Sequence, residues 1–305
     1  MSRIPRKMLL GDEGNSALHY FDLDDPRQNW SYRGPGRDLQ LIGKGRVLRS
    51  SPTGFVELDL TSQGAVVRDV ALADLPGGVE SARRLLDGST IVLGNGGGGI
   101  FVWEIDSKGN ARRKQLFAGI EKGRMLRLTA QKTMLFCSDT NSQRVIHEAT
   151  FEDGIASLFT IPGSVPVDSP VKAVREADDI VTVSTGYTAS LLRINTAKKT
   201  ILQTIGGKEQ PDPPGLRRPL RPFFFSGYQM FATGDFLVAN WQGHGTHHNA
   251  EGYQFLLYDR VGRLVWQFDQ SEYPIVSSLN NVIALDGLDV GKLHDEPGGV
   301  LIPLA

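Results

Sequence analysis

The chain has 305 residues, and its 33 Lys and Arg balance 34 Asp and Glu to leave a formal charge of −1. That balance excludes a strongly basic nucleic-acid binder, so no nucleic-acid partner is expected. Hydrophobic residues make up 40%, enough for a packed core, and one cysteine, Cys137, excludes a disulfide framework or a Cys-ligated cluster within the chain. Apolar runs reach only about five residues, too short for a membrane-spanning helix. Met1 to Lys7 is short and basic with no apolar stretch after it, so no signal peptide is expected there. A periplasmic or secreted protein that has lost its leader and a cytoplasmic protein both fit.

In chain order, Gly and Pro punctuate short apolar runs such as Ile91-Val92-Leu93, Ile180 to Val183 and Phe236 to Ala239. These read as strands, and no long 3.6-residue periodicity competes with them. A unit then recurs: strand, turn, apolar strand, small-residue loop, apolar strand ending near an acid, glycine turn. The third strand closes at Asp22, Asp59, Asp106, Phe151, Asn195 and Asp259, with gaps of 37, 47, 45, 44 and 64 residues. A four-stranded antiparallel unit of roughly 40–50 residues is a propeller blade, which buries its faces only against neighbouring blades. The expected fold is an all-β, six-bladed β-propeller forming one domain over 1–305. Lys7 to Leu10 reads as a second strand lacking a first, and Ser277 to Leu285 as a first strand lacking a blade. The two ends are therefore expected to share one blade and close the ring. A β-sandwich or a seven-bladed ring is the alternative.

Four-stranded meanders place the second-to-third loops on the same face as the crossings between blades. These loops are Asp12 to Ser16, Ser50 to Thr53, Gly94 to Gly99, Ser138 to Gln143, Ser184 to Tyr187 and Asn240 to Gly252. Most of their residues are small, which suits tight turns and also an open channel mouth. The last loop is long and carries His244, His247 and His248 beside Asn240 and Trp241. Imidazole can serve as a general base, a donor to an anion or a metal ligand, so His244 and His247 are the candidate catalytic residues and a metal is left open. Trp241 could stack on a ligand ring, and Asn240 could hydrogen-bond to it. Cations stand near the starts of the first strands: Arg37, Arg83, Arg124 and Lys172, with Phe225 at the equivalent stretch of the last blade. Facing the channel, they would attract a carboxylate, sulfate or phosphate. Alternatively they pair with Asp38, Glu80 and Asp168 and only tie blades together. The stretch Gly94 to Gly99 lacks the Lys-Ser/Thr pair and the helix of a phosphate loop. No GxSxG elbow is present. Cys137 lies in an apolar strand, as a buried and inert thiol would. Trp30, Trp103 and Trp266 are expected to pack between blades, and Gly206 to Pro222, with five prolines, to be an extended inter-blade loop.

The stretch Phe255-Leu-Leu-Tyr-Asp-Arg-Val-Gly-Arg-Leu-Val-Trp266 resembles the blades of quinoprotein-like (PQQ-like) and arylsulfotransferase-like propellers. The Asn240 to Gly245 and Leu285 to Asp289 stretches resemble bacterial propeller proteins of unassigned function. The first resemblance implies a propeller fold. Only Trp266 fits the quinoprotein docking pattern, which argues against bound PQQ. Arylsulfotransferase-like chemistry implies a catalytic histidine beside an anion pocket, for which His244 and the channel arginines are available. The expected function is binding of a small polar or anionic ligand, a sugar derivative among the candidates, at the channel mouth. A lyase or transferase using a loop histidine as general base is the alternative, and a protein-interaction scaffold the third.

Overall fold

A computed structural model describes residues 4–140, 143–161, 168–245 and 251–304. The chain forms a six-bladed β-propeller. Among the described residues the only helical segments are two short 3₁₀ turns, Pro26–Gln28 and Gln270–Glu272. None is long and apolar enough to cross a membrane.

Blade 1 consists of Leu279–Ala284, Lys7–Asp12, Ala17–Asp22 and Trp30–Arg33, in that order from the axis outward. Its innermost strand comes from the end of the chain. Met8 opposes Ala284, Leu9 opposes Ile283 and Leu10 opposes Val282, all antiparallel. The two ends are thus joined in one blade, as their incomplete strand patterns imply. Blades 2 to 6 follow in sequence, each with its strands in order from axis to rim. Their first strands are Leu39–Gly43, Gly77–Arg84, Arg127–Leu128, Ala173–Ala177 and Phe224–Met230. The third strands end at Asp22, Asp59, Ile105, Thr150, Asn195 and Tyr258, within one residue of the expected landmarks.

Six apolar clusters hold the ring, one between each pair of adjacent blades. Strand alternation explains how one run of sequence serves two of them. Ile91 and Leu93 pack toward blade 4, while Val92 between them packs toward blade 2. Ile100 and Val102 likewise face blade 4, and Phe101, Trp103 and Ile105 face blade 2. Because both faces of each sheet are buried, the strands read as continuous apolar runs rather than alternating ones. Trp30, Trp103 and Trp266 pack in these inter-blade layers as expected. Cys137 is buried between blades 4 and 5, and burial pushes its thiol up, away from the reactive thiolate. The Gly-rich stretch of blade 3 is a hairpin: Gly97 (φ +63°) and Gly98 (φ +79°) take the two central positions between paired Gly96 and Gly99. Left-handed backbone at both positions is what a tight hairpin turn requires, so these glycines serve the turn.

One feature lay outside the sequence-based expectation. After blade 1 is completed, the chain forms a hairpin, His294–Gly298 and Val300–Pro303, that extends blade 6 through a parallel pair between Met230 and Val300. Its first strand lies against the first strands of blades 2, 4 and 5. The channel is therefore plugged at the face opposite the second-to-third loops, and the ring encloses a cup rather than a tunnel.

Candidate functional site

The cup opens on the face of the inter-blade crossings. Its walls are set by a recurring backbone device. At the end of the second strand in four blades, a short polar side chain accepts N–H groups from the chain entering the same blade. Asp12 accepts from Ser277 N (2.7 Å) and Ser278 N (3.1 Å). Ser50 Oγ accepts from Arg37 N (3.2 Å) and Asp38 N (3.0 Å). Ser184 Oγ accepts from Lys172 N (3.1 Å), and Asn240 Oδ1 from Phe223 N (2.8 Å) and Phe224 N (3.4 Å). The crossings otherwise have no ladder to satisfy these donors, so the side chains both cap and aim them. Ser50 also donates to Glu80 O (3.1 Å), tying blade 2 to blade 3. Ser50→Ala is expected to destabilise the fold by about 1–2 kcal/mol in denaturant unfolding, since it strands these N–H groups. An unchanged midpoint would show that the hydroxyl does not set the crossing.

The cup is lined by residues from all six blades, with blades 2 and 4 contributing only through their incoming crossings, at Arg37 and at Arg124 and Met125. On one side, Glu13 gathers three groups. Trp241 Nε1 donates to its Oε2 (2.6 Å), His244 Nδ1 lies 3.2 Å from its Oε1, and Arg37 Nη2 lies 3.6 Å from Oε1. Arg37 also donates to Glu80 Oε2 (3.0 Å). Tyr187, Phe224 and Trp241 form an aromatic wall: Tyr187 and Phe224 meet at 4.7 Å and 83°, Phe224 and Trp241 at 5.2 Å and 69°. The His244 ring stands 4.6 Å from Trp241, edge to face. Arg124 lines the cup with its side chain half-buried, and that side chain has no hydrogen-bond or ion-pair partner among the described residues. Burial pushes it below its ordinary value, Glu80 pulls it back and the neighbouring Arg37 opposes it. A guanidinium stays protonated through such a shift, so the site keeps one charged group whose donors are unfilled by the described residues.

Of the residues singled out in the sequence, Arg37, Arg124, Trp241 and His244 meet in this cup. Four others are placed elsewhere. Arg83 lies near the end of its strand and so sits deep in the channel, where its Nη2 donates to Asp38 Oδ1 (2.8 Å). Lys172 donates to Tyr228 O (2.5 Å) and Glu296 Oε2 (2.7 Å). Both are buried in a chain of charges that runs Arg83, Asp38, Arg127, Glu296, Lys172. Asn240 is buried as the crossing's cap, with its Nδ2 donating to Arg221 O (3.0 Å) and Tyr253 O (2.7 Å). Phe225 is fully buried between blades 5 and 6, and alternation turns its neighbour Phe224 into the cup instead. Asp168, offered as a pairing partner, lies 3.8 Å from Arg144. His247 and His248 lie outside the described residues. Among the described residues no cluster of three or more His, Cys, Asp or Glu side chains is arranged to hold a metal ion.

The sequence reading missed Glu13, Tyr187 and Phe224. A signal for two of them existed. Glu13 and Tyr187 are the bulky, functional members of loops otherwise rich in Gly, Ser, Asn and Thr, on the face already assigned to the mouth.

No protein-family model matches the chain, and no curated protein matches it in sequence. In structure it is similar to a protein of unknown function from Bacteroides caccae, with a TM-score of 0.67 and 20% identity over 92% of this chain and 98% of that one. It is also similar to a chain of the nidogen/laminin complex (TM-score 0.59, 11% identity, 90% and 97% covered). A third similar structure is virginiamycin B lyase from Staphylococcus aureus (TM-score 0.53, 15% identity, 87% and 92% covered). At these identities the likeness is one of fold.

Proposed function

We propose that the protein binds a small polar or anionic molecule in the cup at the mouth of its channel. The observation that carries this reading is Arg124. A half-buried guanidinium whose donors no described residue fills, set in a concave site, is stabilised by an oxyanion that accepts its fork of donors. Arg37 stands beside it, already shared between Glu13 and Glu80. The expected result of a thermal-shift screen is stabilisation by small organic anions, about 2.7 kcal/mol at a hundredfold excess over Kd, and loss of that shift in Arg124→Gln. Anions that stabilise both proteins equally would place the binding elsewhere.

A second reading has its own support. The Glu13 carboxylate beside His244 Nδ1 is the arrangement that fixes the orientation of an imidazole. It supports a lyase or transferase in which His244 is the general base and Arg124 steadies developing negative charge. The arylsulfotransferase-like resemblance of the sequence implies the same pair of parts, a histidine and an anion pocket, and the propeller ring admits lyase chemistry, as the name virginiamycin B lyase records for a similar fold. For a ligand turned over by the protein, His244→Ala is expected to lower kcat by about 10²–10⁴ while binding persists. A bound anion recovered unchanged after prolonged incubation would leave the binding reading alone.

A further inference from the structure

The lining of the cup includes one guanidinium with no direct partner among the described residues and a set of rings, and from these we infer that its ligand is an aromatic monoanion: a flat ring joined to a single carboxylate or sulfonate-type oxyanion. The inference rests on the small-ligand reading above and narrows it. Charge sets the first limit. Glu13 and Glu80 both lie against Arg37, at 3.6 and 3.0 Å, and the one negative charge left over from these three groups balances Arg124 at longer range. Arg124 is the cation of the cup whose N–H donors no described residue fills, so one oxyanion can take them, while a second anionic group on the ligand would be repelled by Glu13 or Glu80.

The rings set the second limit. Tyr187, Phe224 and Trp241 stand nearly at right angles to one another, and His244 continues the series against Trp241. Such a cluster offers both faces and edges to the cup, the two surfaces with which another aromatic ring packs. Met125 and Val171 make further apolar lining. A polyhydroxylated sugar laid against these five apolar and aromatic side chains would leave hydroxyls desolvated and unpaired, which is unfavourable for each of them. A flat hydrocarbon ring incurs no such loss, and its acid group reaches the guanidinium.

Calorimetric titration of the full chain tests this with four probes: 2-naphthoate, 2-naphthalenesulfonate, the neutral 2-naphthamide, and glucuronate. At least one naphthyl anion is expected to bind saturably, and the comparison of the two shows which oxyanion head fits. The amide and glucuronate are expected to bind about tenfold or more weaker, as is the favoured anion to Arg124→Gln. Because Arg124 has no protein partner among the described residues, that variant is expected to unfold at the same denaturant concentration as the parent. Phe224→Leu, which keeps an apolar side chain, is expected to weaken the naphthyl anion and to leave glucuronate unchanged. An amide that binds as tightly as the acid, or undiminished binding to Arg124→Gln, overturns the inference. Glucuronate binding through Arg124 while both naphthyl anions fail would overturn it and keep the broader reading. Failure of all four probes would sink both.

Discussion

Glu296→Ala is expected to destabilise the protein by about 3–5 kcal/mol, read from denaturant unfolding. The carboxylate is buried on the C-terminal hairpin and accepts from Arg127 Nε (2.7 Å) and Lys172 Nζ (2.7 Å). Burial alone would raise Glu296, and Lys172 first, then Arg127, hold it down in the charged form. On the other side of the pair, burial pulls the Lys172 ammonium down and Glu296 opposes that pull. Removing Glu296 leaves the buried Lys172 without its carboxylate, while Arg127 keeps Asp38 (3.0 Å). The expected loss is therefore mostly the penalty of an unpaired buried cation. The double variant Glu296→Leu, Lys172→Met removes both charges and is expected to recover a substantial part of the stability. A Glu296→Ala variant within ~0.5 kcal/mol of the parent would show that the plug is held by its apolar contacts instead.

Acid is expected to weaken the fold through His147. Its ring is buried on blade 4 between Ser138 Oγ (2.6 Å from Nε2) and Ser157 Oγ (3.4 Å from Nδ1), against Phe136. Burial pushes the imidazole down to about 4 from an ordinary 6.5, so the folded protein keeps it neutral. The unfolded chain takes up the proton near its ordinary value and the folded chain does not until near pH 4. Stability from this group is complete above pH ~6.5, falls as the pH drops toward ~4, and amounts to up to about 3 kcal/mol. His147→Gln, which cannot protonate, is expected to flatten that part of the pH dependence while lowering stability at neutral pH. Equal slopes between pH 6.5 and 4 in the two proteins would assign the acid sensitivity to carboxylates. Blade 1 has a related arrangement, with His19 between Asp12 Oδ2 (3.1 Å) and Ser31 Oγ (2.7 Å), so a histidine on the third strand braces two opposed blades.

The cup matters to both functional readings because of what the plug removes from it. Four cations near the channel looked equivalent from their positions in the repeat. Two of them, Arg83 and Lys172, are consumed by Asp38 and Glu296, and a third, Arg37, is shared by two glutamates. Of the four, Arg124 is the one whose side chain makes no direct ion pair or hydrogen bond with a described residue. The distinction between a scaffold channel and a ligand site turns on that one remainder.

What the sequence determined by itself was the part that is local. Strand period, glycine turns and the spacing of Asp22, Asp59, Asp106, Phe151, Asn195 and Asp259 were enough for the blade, the number of blades and the face on which the loops gather. The orphaned strand patterns at Lys7 to Leu10 and Ser277 to Leu285 were enough for closure, because an unpaired strand edge has one economical partner. Which side chains line the cup was decided only in three dimensions. Glu296 answers Arg127 and Lys172 from 169 and 124 residues away, and no pattern along the chain announces a hairpin returning into the channel. Phe224 and Phe225 differ by one position in a strand that is irregular before Tyr228, and one position is the whole difference between the cup and the core. Periodicity tells which residues share a face, but the charge left over at a site is a sum over every element packed around it, and that sum exists only once the ring is closed.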